Sequence, residues 1–346
     1  MTLQFFSIRK RHACTTGPID MNTLKNPAIS AAFAALWLPA TAAADTPQNI
    51  TAQMEDKRIV VMVGEKEFTS YLFSDEHKYP FFYPVVGPAS GESVTTWNQE
   101  PFPHHSSLYI SLDRVMSESV AHANYWQPRD NLATGQVFSR KPEIVSQGDG
   151  KVVLRDETEW IVPASGVHQL SDTRMVTISA PSPEIRLMDF HFELKAEKDL
   201  VVRQTGHSFF SARMRPEMAV GCERLGAAWA EMGTGTILDS LGGRNEEGTR
   251  EKAADWAAAF GTQNGHTEGL AIIQHSGNPM APAKWFIRNY GFMSPTPFAF
   301  DGNVPIKGGD TLTFRYRVVV FSGDPEAADI AGWREDFESA ADAAKD

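Results

Sequence analysis

Toward the end of the chain, apolar and polar residues alternate with a period of two. Leu312, Phe314, Tyr316, Val318 and Val320 fall on one side of an extended segment, and Thr311, Thr313, Arg315 and Arg317 on the other. Successive side chains of a strand point to opposite faces, so this pattern predicts a half-buried antiparallel strand. The same period sets Met188, Phe190, Phe192 and Leu194 against Asp189, His191, Glu193 and Lys195. Strand-like runs also occur at 58–63, 68–73, 107–112, 151–162, 174–179, 184–195, 200–204, 269–274 and 311–321, most of them bounded by Gly, Pro, Asp or Asn.

The period changes to a helical one near the C-terminus. Asp324 as N-cap, Pro325 at the first helical position, and Ile330, Trp333 and Phe337 at helical spacing predict a helix running to about Ala343 and packed on the outside of the sheets. Many strands without intervening amphipathic helices argue against a parallel doubly wound sheet. They predict an all-β fold, a large antiparallel β-sandwich with a C-terminal helix. No repeat or proline-rich linker divides the chain, so 58–346 reads as a single domain behind a loose polar leader at 45–57.

Residues 1–44 have a different character. From Met21 a basic start with Lys25 leads into an apolar stretch from Ile29 to Leu38 and the small residues Thr41-Ala42-Ala43-Ala44. That is the pattern of a secretory signal peptide cleaved near Ala44, with 1–20 as an upstream extension. Its apolar stretch is well short of the roughly 20 residues a spanning helix needs. The expected destination is the periplasm or the exterior.

Composition adds three constraints. With 42% apolar and 10% aromatic residues the chain can bury a substantial core, which excludes disorder as the default. Loss of Arg9, Lys10, Arg11, Lys25 and Asp20 with the presequence moves the formal charge from −11 to −14. A surface that acidic repels phosphate backbones, which argues against a nucleic-acid partner. Cys14 leaves with the presequence and Cys222 stands alone, so neither an intrachain disulfide nor a cysteine zinc site can form.

Two segments concentrate chemistry. In Trp97-Asn98-Gln99-Glu100-Pro101-Phe102-Pro103-His104-His105-Ser106-Ser107-Leu108-Tyr109 the prolines stiffen a loop that presents adjacent histidines, the side chains best suited to acid/base work near neutral pH. In the segment from His275 to Gly291, His275 ends a strand, Asn278 follows in a turn, and Trp285, Arg288 and Tyr290 lie along an extended stretch. Read on one face, those three would set an aromatic platform for a sugar ring beside a cation. His191 between Asp189 and Glu193, and His207 with Arg213, carry weaker signals and read equally well as solvated or structural groups. No G-x-S-x-G elbow, P-loop, G-x-G-x-x-G turn or H-E-x-x-H helix is present, which removes the usual support for serine-hydrolase, nucleotide and zincin chemistry.

At Tyr79-Pro80-Phe81-Phe82-Tyr83-Pro84, at Pro103-His104-His105-Ser106-Ser107-Leu108-Tyr109 and from His275 to Gly291, the chain resembles the methane oxygenase PmoA-like family of bacterial proteins. Phe102 stands where the family's loop motif has its first histidine. The family name evokes a membrane-bound monooxygenase subunit, whereas the sequence beyond residue 44 has no apolar run of about 20 residues. The resemblance implies a large β-sandwich and a setting among genes for glycan breakdown, with Tyr83, His104, His105, His275, Asn278, Trp285 and Arg288 lining one pocket.

Residues and resemblance together predict an exported carbohydrate-active protein, a lyase or hydrolase acting on a sugar or modified glycoside. His104 or His105 is the expected acid/base and His275 its counterpart or a ligand, with Asn278, Arg288, Tyr83 and Tyr290 contacting substrate and Trp285 stacking on it. One rival is a glycan-binding or scaffold protein without turnover. The other is a metal-dependent oxygenase, which would need His104, His105, His191 and Glu193 to converge. The expected partner is a small-molecule or oligosaccharide ligand, with no nucleic acid and no membrane span in the mature chain; neither a metal nor a cofactor requirement is legible in the residues.

Overall fold

Along Lys151–Val162 every second side chain is buried: Val152, Leu154, Asp156, Thr158, Trp160 and Val162 turn inward. Strands of this kind make up most of the structure. The computed structural model describes residues 47–127, 133–207, 209–221 and 233–343, so the presequence and Cys222 lie outside the described residues. From Ala44 onward the chain forms one compact unit.

The larger sheet runs, in spatial order, Glu143–Gly148, Lys151–Val162, Val167–Ser182, Ile185–Ala196, Thr311–Ser322, His266–Gln274, Trp256–Gln263 and Thr236–Asp239. A second sheet runs Ile50–Met54, Arg58–Val63, Lys66–Leu72, Phe81–Val85, Leu108–Ser111, Phe209–Arg213, Phe292–Pro295 and Trp285–Arg288. A small third sheet contains Val115–Ser117, Val120–Asn124 and Leu200–Val202. Neighbouring strands pair antiparallel, apart from Val120–Asn124 with Ala133–Thr134. The fold is all-β with a C-terminal helix, Ile330–Ala343.

The two large sheets meet through aromatic side chains. Phe82 packs edge-on against Phe190 at 5.6 Å, Phe210 lies 4.9 Å from Phe190, and Phe210 stacks on Tyr316 at 4.8 Å. One polar network is sealed in this core. The Arg174 guanidinium forks onto Asp172 at 2.8 and 2.6 Å, Trp160 Nε1 donates to the same carboxylate at 2.7 Å, and the Tyr71 hydroxyl donates to Asp156 at 2.7 Å. Because Asp172 and Arg174 interrupt the apolar pattern, the run read as 174–179 is the middle of a longer strand, Val167–Ser182.

Three further expectations need correction. The leader expected at 45–57 carries the edge strand Ile50–Met54, whose Ile50 is buried opposite Val63 while Thr51 and Gln53 face solvent. An edge strand with one buried side chain has the composition of a loop. The helix begins at Ile330: Asp324 caps only a preceding turn, accepting from Glu326 N at 3.1 Å and Ala327 N at 2.9 Å. Asp329, at φ +50°, breaks that turn and caps the helix through Gly332 N at 3.1 Å. The polar side of Thr311–Ser322 is also covered. The helix lays Ile330 and Phe337 on Leu187, Ile273, Val319 and Phe321, and buried Arg317 pairs with Asp189 and Asp336, each at 2.6 Å.

Candidate functional site

The C-terminal helix covers part of the far face of the larger sheet, and the candidate site lies on the far face of the other large sheet. Its register decides what appears there. Tyr109 lies opposite Phe81 and Ser211, Arg213 opposite Phe292, and Arg288 opposite the same Phe292, and directly opposed residues share a face. The resulting row holds Phe81, Tyr109, Ser211, Arg213, Phe292 and Arg288.

The 97–107 loop folds onto this row. Trp97 bridges to Ser106, Ser107 N donates to Thr96 O at 3.0 Å, and His105 N donates to Phe102 O at 3.0 Å. Tyr79 stacks flat on Tyr109 at 4.6 Å and donates its hydroxyl to the His104 carbonyl at 2.6 Å, which fixes the histidine pair from below. The His105 ring is buried between Phe292 (4.4 Å), Phe102 (5.3 Å) and Trp126 (5.8 Å), with the His104 ring at 4.3 Å.

A second histidine faces it across Trp126. His207 lies 4.9 Å from that indole, and its Nε2 is 3.0 Å from Oδ2 of Asp113, a carboxylate with no exposed side-chain surface. The angle of that contact departs from a hydrogen bond's, as ligand-free catalytic pairs often do. Arg213, fully buried, donates to the Tyr290 carbonyl and lies over the Tyr290 ring at 4.9 Å. Arg288 pairs with Glu246 at 3.0 Å. Lys78 buries its Nζ near Asp113 with no hydrogen-bond acceptor among the described residues.

Burial sets the protonation of this group. It drives the His105 imidazole well below its ordinary range, reinforced by His104, Arg213 and His207. It lowers the Lys78 ammonium to about 8, against the pull of Asp113, and the Arg213 guanidinium to about 10, against Tyr290 and Tyr109. His105 is therefore a neutral imidazole at pH 7, and its Nδ1 has no hydrogen-bond partner among the described residues. The arrangement can accept a proton at His105, orient an imidazole through Asp113, and place cations beside a bound anion.

A family model described as a family of unknown function, DUF6807, matches residues 58–334. The chain belongs to that family. No curated protein matches the sequence. Among solved structures, a galactose mutarotase related enzyme from Lactobacillus acidophilus is 7% identical with a TM-score of 0.32, covering 80% of this chain and 97% of its own. A GalM/aldose epimerase homologue from C. elegans is 8% identical at TM-score 0.33, covering 80% and 99%. A heparan sulfate lyase HepC mutant from Pedobacter heparinus is 11% identical at TM-score 0.27, covering 81% of this chain and 37% of that one. Likeness at this level says nothing about chemistry.

In this DUF6807 member the site gathers His104, His105, Arg288 and Tyr290. Tyr83 stands at its flank, 6.0 Å from Trp97, which is 38% exposed. Trp285 does not join them: a step of three along a strand reverses the face, so Trp285 turns into the core and donates Nε1 to Ala254 O at 2.8 Å. Asn278 spends its amide on the Arg315 backbone, at 2.8 and 2.6 Å. His275 packs on Phe337 of the C-terminal helix, with Nε2 3.4 Å from Glu338 and Nδ1 accepting from Gly277 N at 2.9 Å. His275→Gln is therefore expected to lower the melting temperature while leaving ligand binding at the His105 site unchanged; weaker binding at unaltered stability would contradict the placement.

His191 and Glu193 lie 3.6 Å apart on the far face of the larger sheet, away from the His104–His105 loop. The ligand set required by the oxygenase reading is thus split between opposite faces. Among the described residues, no three His, Cys, Asp or Glu side chains stand together as a metal-binding group. Sequence reasoning missed Lys78, Asp113 and Trp126, which lie in loops beside strands and join the site only through strand pairing and loop packing. No helix among the described residues is long and apolar enough to cross a membrane.

Proposed function

We propose that this protein is an exported carbohydrate-active enzyme built on a β-sandwich, and that it acts on a sugar or modified glycoside as a lyase or hydrolase. The observation that carries the reading is His105, a neutral buried imidazole set among aromatic rings beside the His207–Asp113 pair. His105 takes the proton, because a base must be unprotonated at working pH. His207, oriented by Asp113 through Nε2, returns a proton through its other ring nitrogen to the departing oxygen. Aromatic faces suit the apolar side of a pyranose, and Arg213 and Arg288 suit charge that develops on its substituents. The PmoA-like segments at 79–84 and 103–109 support the same face, and the 21–44 signal pattern supports export.

Glycan binding without turnover is the second reading, favoured by the exposed Trp97 ring beside His77 (5.3 Å) and Phe81 (5.1 Å). Mass-resolved product analysis after incubation with neutral and acidic oligosaccharides separates the two. A hydrolysed product carries added water, a lyase product carries a new double bond, and binding with no product selects the second reading. Absence of both binding and product would sink the proposal.

A further inference from the structure

Met188, Phe190 and Phe192 alternate along Ile185–Ala196 into the core between the large sheets, and the position before them on that face is Arg186. On His266–Gln274, Leu270 and Ile272 face the same core, and the position before them is Glu268. Both charged residues are buried, at 8% and 0% exposed, yet each is held by other partners instead of by the other. Glu268 accepts from Ala89 N and Ser90 N, each at 3.1 Å, and from the Ser90 hydroxyl and the Gln263 amide. The hydrogen bonds of Arg186 all run through Nη1, to the carbonyls of Ser182 (2.8 Å), Pro183 (3.2 Å) and Ile185 (2.9 Å). Among the described residues the carboxylate whose charge acts on Arg186 is Glu184, and burial outweighs that pull and lowers the guanidinium pKa. An arginine stays charged at neutral pH all the same.

A cavity of about 480 Å³ opens here, a volume within the range of small-molecule sites. Arg186 and Pro183 line it from the larger sheet, Lys66 and Phe68 from the other large sheet, and the 87–91 segment forms a third wall. Glu268 fixes that wall through its bonds to residues 89 and 90, and a Cβ at Gly87 would collide with its carboxylate. Glu268 itself does not line the cavity, whereas Arg186 does. Two acids also line it: Glu67 accepts from Ser70 Oγ at 2.7 Å and lies 3.9 Å from Arg58, and Glu65 is exposed on the preceding turn. The buried charge that the cavity presents is therefore positive.

We infer that this cavity is a second ligand site, for a small organic acid whose carboxylate lies on Arg186 within reach of Lys66 and whose apolar part lies against Phe68, Val63 and Val86. None of its lining residues belongs to the His105 site, so the inference goes beyond the activity proposed above. A planar carboxylate matches the guanidinium in shape and supplies its missing counter-charge. A neutral analogue leaves that buried cation uncompensated, which is the basis of discrimination. A ligand touching both large sheets binds only the folded chain, so it also raises stability by mass action.

Calorimetric titration of the mature protein with benzoate and with benzyl alcohol, a neutral probe of similar size, tests this. Benzoate is expected to bind at least about tenfold more tightly, the scale of one charge-assisted hydrogen bond, and to raise the melting temperature as its concentration rises. Arg186→Met is expected to remove that advantage. Lys66→Glu, at an exposed position that the fold does not depend on, is expected to weaken benzoate by about threefold and to leave benzyl alcohol unchanged. The comparison of probes on the unaltered protein and the Lys66 variant both stand even if Arg186→Met misfolds. Equal binding of the two probes, no binding of benzoate, or a benzoate affinity that neither variant changes would each overturn the inference, and none of these outcomes bears on the activity proposed for the His105 site.

Discussion

Turnover is expected to fall by about 10²–10⁴-fold in a His105→Gln variant, the range contributed by a positioned acid/base group. Glutamine retains polar atoms in the space between Phe292 and Phe102, so the variant should keep its fold and isolate the proton-transfer step. The pH dependence carries a second signature. Burial, His104, Arg213 and His207 hold the His105 imidazole well below the ordinary histidine value of about 6.5, so the acidic limb of kcat/KM should lie below that pH. Stability follows with a defined sign. A group whose folded pKa is depressed binds more protons unfolded, so its contribution is present above about pH 6.5 and is lost as pH falls toward the folded value. His77 and His191 are also lowered, chiefly by burial, and act in the same direction. The variant should therefore lose activity and also soften acid destabilisation; a rate within a factor of two of the parent would remove His105 from the chemistry.

Breaking the sealed pair between the sheets should have the largest effect on stability. Asp172→Asn or Arg174→Met, each alone, is expected to lower the unfolding free energy by about 3–5 kcal/mol, because the partner is left charged and buried. The side chains are 0% and 5% exposed, and the contact is a two-pronged fork, so water cannot replace the missing group. Burial by itself would lower the Arg174 pKa, yet Asp172, Tyr71 and Asp156 hold it above the ordinary value, which shows how fully the carboxylate compensates the guanidinium. Against the 5–15 kcal/mol typical of whole domains, such a loss should be plain in the urea midpoint. Replacing both residues by apolar ones of similar volume should cost less than either single change. A single-variant loss under about 1 kcal/mol would mean that the network contributes little.

Periodicity carried the fold where one face meets water and the other meets the core. Lys151–Val162 was legible to the residue for that reason, whereas Arg58–Val63, with Ile59, Val60 and Val61 all buried, was legible as a short apolar run. It failed where polarity has another cause: at Ile50–Met54, where an edge strand buries a single anchor, and around Asp172 and Arg174, which look exposed in sequence and are sealed in space. At the site, adjacent histidines following Pro101 and Pro103 were a local signal, and both rings pack against Phe102. Asp113, Lys78 and Trp126 gave none, because each acquires its neighbours through strand pairing and loop packing. His275 and Asn278 show the converse, a suggestive local cluster whose hydrogen bonds hold a loop to a strand and a helix.

The position of Thr311–Ser322 has a consequence for biosynthesis. It is the last strand made, yet it stands in the middle of the larger sheet, bonded to Ile185–Ala196 on one side and His266–Gln274 on the other. Until the ribosome has released it, nothing bridges Ile185–Ala196 to His266–Gln274, and that sheet cannot be completed. Pairing across such long sequence separations is slow even once the segments are present. A chain arranged this way is expected to join the two halves of its larger sheet late, after Thr311–Ser322 has been made.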